Sequence, residues 1–131
     1  MLIFKFMTEN EISKILVDIF FKVHSRLGPG LLESVYEAAI CFELKRLNIY
    51  FQRQQGIPVW YESVKLDLGF RADLIIEQKV IVEIKSVEAV TPVFFKTLLT
   101  YLRLTHIKLG LLTNFNVDMM KNGIMRVANN L

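Results

Sequence analysis

Three charged residues, Asp73, Glu83 and Lys85, stand inside the two most apolar stretches of the chain, Phe70 to Ile76 and Val80 to Lys85. A charge in such surroundings is costly unless it is paired or bound to a cation. Glu83 and Lys85 are two residues apart, so on a strand they project from one face. Whether Asp73 joins them depends on the connection between the stretches. A two-residue loop at Gln78-Lys79 sets Asp73 opposite Ile84, with its side chain turned away from Glu83. A three-residue loop, Glu77-Gln78-Lys79, sets Asp73 opposite Glu83 with Cβ atoms about 5 Å apart. Two carboxylates at that spacing repel, and one pKa rises unless a divalent cation holds both. Oxygen ligands of this kind suit Mg²⁺ or Mn²⁺ rather than zinc. The competing reading of the same residues is a structural ion-pair network.

The elements that would position these residues follow from periodicity and punctuation. Ile12, Ile15, Leu16, Ile19, Phe20, Val23 and Leu27 mark one face of a helix. Thr8 with Glu11 forms a capping box that starts it, and Gly28-Pro29-Gly30 stops it. A second helix is expected from about Leu31 to Leu47, with Leu32, Val35, Tyr36, Ala39 and Leu47 inward and Glu37, Lys45 and Arg46 in solvent. Short β-rich segments come next, at Tyr50–Gln54, Ile57–Tyr61 and Val64–Leu68, before the two apolar strands. Thr91-Pro92 opens a third helix reaching about Leu104. Lys108–Thr113 reads as a strand, Val117–Lys121 as a turn of helix and Ile124–Val127 as a last strand. This order, two helices first, predicts an α/β fold with a mixed central sheet flanked by helices.

Bulk properties narrow the class. A chain of 131 residues, 53% hydrophobic, has room for one domain over its whole length. Its apolar runs fall far short of the roughly 18 residues of a membrane span, and the N-terminal Met1–Met7 makes a poor signal peptide. A single cysteine, Cys41, allows no internal disulfide and reads as a buried small hydrophobe. These features predict a cytoplasmic protein without a membrane partner. The net charge of +3 and pI near 9.1 are compatible with a polyanionic partner but do not demand one.

Asp73, nine intervening residues, then Glu83-Ile84-Lys85 resembles the metal site of the PD-(D/E)XK, or restriction-endonuclease-like, nuclease superfamily. Upstream, Gly30-Leu31-Leu32-Glu33-Ser34-Val35-Tyr36 is similar to the signature of the GxxExxY protein family, a branch of that superfamily. Gly69-Phe70-Arg71-Ala72-Asp73, Leu98 to Leu102 and Leu109 to Asn116 extend the likeness across Ile12 to Val127. The resemblance implies a restriction-endonuclease-like fold and a metal-dependent nuclease acting on DNA or RNA. It also implies Mg²⁺ or Mn²⁺ held by Asp73 and Glu83, with Glu33 approaching from the second helix, and Lys85 beside the scissile phosphate.

One departure stands out. Where such nucleases carry a glutamine, four residues before a tyrosine, this chain has Thr97 before Tyr101. That predicts reduced activity and leaves open a catalytically weak nucleic-acid-binding module, or a protein–protein interaction domain. Among accessory residues, Tyr36 reads mainly as core packing with a tethered hydroxyl, and Tyr101 equally as core or site. Arg71 is expected on the face of Asp73, touching phosphate or pairing with a carboxylate. His24 and His106 read as surface or helix-end residues. Lys45, Arg46, Arg53 and Lys96 read as scattered solvated charges rather than a nucleic-acid track. A homodimer would supply a larger binding surface.

Overall fold

The structure is a computed structural model describing residues 6–131, with the side chains of all of these except Asp67 and Leu68. The expectation at Met1–Met7 thus falls largely outside the described residues. Helix α1, Glu9–Leu27, begins at the expected capping box: the Thr8 hydroxyl accepts from the Glu11 N–H, and the Glu11 carboxylate accepts from the Thr8 N–H. It ends at Gly28, where the chain turns through Gly28 and Gly30 at φ of 74° and 90°, conformations that side chains disfavour. Helix α2 is Glu33–Arg46.

Strand β1 spans Phe51–Tyr61 and β2 spans Val64–Ile76, so the expected short segments fuse into one long hairpin. The fusion is possible because β1 is the edge strand, where Pro58 and a bulge between Ile57 and Val59 cost few ladder bonds. β3, Val80–Lys85, starts and ends as expected, and α3, Pro92–Thr105, opens at Thr91-Pro92. β4, Leu109–Asn114, lies parallel to β3, and β5, Ile124–Ala128, returns antiparallel to β4. Among the described residues the sheet has five strands in the order β1-β2-β3-β4-β5. This is the mixed α/β architecture expected, with helices on both faces. No helix of the described residues is long and apolar enough to cross a membrane.

The alternation of β3 divides the core. Val80, Val82 and Ile84 pack under α1 and α2 with Phe20, Tyr36 and Phe115. Ile81 packs under α3 with Leu98, Leu102 and Leu112. Gly110 on β4 lets α3 seat closely, since a Cβ there would meet the Leu98 side chain at 2.9 Å.

The inward face of α2 departs from expectation. Tyr36, Ile40, Cys41 and Leu44 are buried, whereas Leu32, Val35 and Leu47 are exposed. Glu37, expected in solvent, is buried with them because Arg53 on β1 meets its carboxylate at 2.7 Å. Arg53 is therefore a paired residue and not a free solvated charge. Arg46 is likewise paired, with Glu43 at 3.4 Å.

Candidate active site

The β2–β3 ladder pairs Ile76 with Val80, Ile75 with Ile81 and Leu74 with Val82. The connection therefore has three residues, Glu77 to Lys79, and the next facing pair is Asp73 and Glu83. There side chains replace the backbone ladder. The Asp73 N–H donates to Glu83 Oε1 at 3.3 Å, and the Ile84 N–H donates to Asp73 Oδ2 at 2.8 Å. The two carboxyl groups lie in hydrogen-bonding range of each other. Burial first, and then the neighbouring Asp73 charge, push Glu83 up to about 8, against the pull of the Asp73 N–H and the Lys85 charge.

Lys85 follows on the same side of β3, facing α3, and its Nζ sits 4.5 Å from the centroid of the Phe94 ring. The ring face attracts the ammonium and holds it beside the pair. Tyr101, further along α3, stacks on Phe70 with ring centroids 3.6 Å apart. Burial, then the charges of Glu83 and Asp73, raise its hydroxyl above the ordinary phenol value. Thr97, one turn before Tyr101, is exposed, and among the described residues its hydroxyl makes no hydrogen bond.

Other expected members stand apart. Glu33 is exposed, and its Oε1 accepts from the Ser86 N–H at 3.3 Å, while the Ser86 hydroxyl donates to the Leu31 carbonyl at 2.7 Å. That tethers Glu33 beyond the end of β3 rather than beside Asp73 and Glu83. Among the described residues no three His, Cys, Asp or Glu side chains gather as a metal-holding group.

Tyr36 is a core residue. Its Oη donates to the Gly28 carbonyl at 2.6 Å and accepts from the Leu31 N–H at 3.1 Å, and its ring stacks on Phe115. It fixes the turn that launches α2 and does not reach the carboxyl pair.

Phe70 and Ala72 both pack toward α3, so Arg71 between them points away, while Ile75 returns to the α3 side. The alternation breaks around Asp73, opposite Gln54, whose φ is 52° and which makes no Cα pair in the β1–β2 register. Among the described residues Arg71 makes no ion pair; it lines an open cleft of about 320 Å³ with Gly56, Lys65 and Phe70.

Sequence reasoning passed over Glu37, Gln54 and Phe94. Glu37 lies one turn after Glu33 and could have been suspected for that reason. Nothing in the sequence marks Gln54 or Phe94.

The donor set suits a hard divalent cation. A carboxyl raised first by burial and then by a neighbouring carboxylate would ionise against a cation, and all the donor atoms are oxygen. Mg²⁺ commonly needs only one or two protein carboxylates and keeps waters for the rest, so a pair suffices. A family model for the PD-(D/E)XK nuclease superfamily matches residues 10–127. No curated protein and no solved structure matches the chain.

Proposed function

The chain belongs to the PD-(D/E)XK nuclease superfamily, and on that premise we propose that it is a divalent-metal-dependent phosphodiesterase acting on DNA or RNA. Gly30, Glu33 and Tyr36 support placing it in the GxxExxY branch. The observation that carries the proposal is the facing pair Asp73 and Glu83, where the Asp73 N–H donates to Glu83 at 3.3 Å, the Ile84 N–H donates to Asp73 at 2.8 Å, and the Glu83 carboxyl is buried.

In this reading Asp73 and Glu83 hold Mg²⁺ or Mn²⁺, which when bound polarises a phosphoryl oxygen and acidifies a water. Lys85, drawn over the Phe94 ring, faces the scissile phosphate as a cation and stabilises the charge that develops on it. The Ile84 N–H fixes the direction of the Asp73 carboxylate, and the Tyr101 hydroxyl closes the α3 side of the pair. Glu33 supports the rim through Ser86 and is a secondary ligand at most. One such unit on a chain of 131 residues, acting in the cytoplasm, gains a larger binding surface by pairing with a second copy.

The test is cleavage of single- and double-stranded DNA and RNA in Mn²⁺, Mg²⁺ and EDTA, with Lys85→Met as control. Metal-dependent cleavage lost in Lys85→Met is expected; none with any substrate sinks the assignment. A second reading, a nucleic-acid-binding module with a weakened site, is favoured by the exposed and unbonded Thr97. Retained nucleic-acid binding without cleavage would favour it.

A further inference from the structure

We propose that Gln54 is a positioning residue that holds Asp73 in its metal-binding orientation, braced from behind by the buried Glu37. The inference rests on the reading of Asp73 and Glu83 as a cation site. Gln54 Nε2 donates to Glu37 Oε1 at 2.6 Å and to Asp73 Oδ1 at 3.2 Å. A single amide group thus spans a carboxylate of α2 and a carboxylate of β2. The other Asp73 oxygen is fixed by the Ile84 N–H, so both oxygens have a donor. Glu37 is itself immobilised, since its second oxygen accepts from Arg53 Nε at 2.7 Å.

The backbone singles out the same residue. Gln54 lies inside β1 with φ at 52°, a conformation that is strained for a residue other than glycine. Arg53 and Gln55 on either side keep their partners Leu74 and Ala72, while Gln54, between them, has no such partner. The side chains of β1 and β2 change sides at this point: Phe51 packs toward α1 and α2, and Ile57 toward α3. The kink aims the amide at both acids instead of leaving it in the strand's alternation. Hydrogen bonds that orient a ligating carboxylate commonly tune metal affinity by ten- to a hundredfold. Because Gln54 is exposed and its Asp73 contact is long, the lower end of that range applies.

The probe is Mn²⁺ binding by titration calorimetry to the full chain, with Gln54→Gly and Gln54→Leu compared with wild type. Glycine removes both the amide and the backbone strain; leucine removes the amide and keeps the strain. Both should bind Mn²⁺ about tenfold more weakly, and Gln54→Gly should melt no lower than wild type without metal. Hydrogen exchange without metal supplies an independent readout. The Ile84 amide, which donates to Asp73, should exchange faster in both variants while amides of β4 stay unchanged.

Unchanged Mn²⁺ affinity in both variants overturns the role of Gln54. So does loss in Gln54→Leu with wild-type affinity in Gln54→Gly, because a chain without the amide would then still hold the cation. If wild type itself fails to bind Mn²⁺, the cation-site reading falls instead. The Ile84 amide then decides by itself whether Gln54 positions Asp73: faster exchange upholds the role, and unchanged exchange overturns it.

Discussion

Replacing Glu83 with glutamine should make the metal-free protein more stable at alkaline pH and leave it unchanged near pH 5. Glutamine imitates the protonated carboxyl: its oxygen still accepts from the Asp73 N–H, and its amide donates to the Asp73 carboxylate. In wild type Glu83 is held at about 8, against an ordinary value of 4.5. An acid whose folded pKa lies above its unfolded one contributes stability that is intact below the unfolded value. That contribution drains away as pH rises through the folded value. The window therefore runs from about pH 4.5 to a little above 8.

Each tenfold change in proton affinity is about 1.4 kcal/mol, which sets an upper bound on the order of 5 kcal/mol. The effective dielectric inside a protein is well above that of a dry interior, so on the order of 2 to 3 kcal/mol is a fair expectation. For a chain of this size that corresponds to about 10 °C in Tm. The assay is thermal melting of wild type and Glu83→Gln in EDTA at five pH values between 5 and 9. Adding Mn²⁺ should raise the wild-type Tm, most at pH 8 and above, by mass action on the folded state. It should do little for the variant. Parallel melting curves across the whole range would falsify the account of a strained carboxyl pair.

Thr97→Gln places a longer, amide-bearing side chain one turn before Tyr101 on α3, and should accelerate single-turnover cleavage at saturating Mn²⁺ by roughly tenfold without changing Mn²⁺ affinity. Equal rates in the two proteins would show that Thr97 is no defect. Tyr36→Phe removes a hydroxyl bonded to Gly28 and Leu31 and should cost about 1 to 3 kcal/mol, read as a lower Tm, while Mn²⁺ affinity stays at the wild-type value. A parallel loss of Mn²⁺ binding would move Tyr36 from the scaffold into the site.

Local signals in the sequence carry much of this fold. The Thr8–Glu11 capping box, the Thr91-Pro92 start, the ends of β3 and the apolar character of both central strands all depend on residues within a turn or two of each other. The pairing of Asp73 with Glu83 was legible only as one of two registers, because Glu77-Gln78-Lys79 carries no turn residue that dictates loop length. Tertiary packing decided between them: a three-residue connection keeps Leu74 and Val82 together under α1 and α2, and a slip by one would have sent one of them to the opposite face. The rotation of α2 was likewise beyond local reading. Its apolar residues lie on two faces, and burial of Tyr36 and Ile40 against the sheet left Leu32 and Val35 outside. Glu37 followed inward because Arg53 and Gln54, from a strand far along the chain, were there to receive its charge. A carboxylate's fate depends on which partners the fold delivers to it, and no spacing along the helix encodes that.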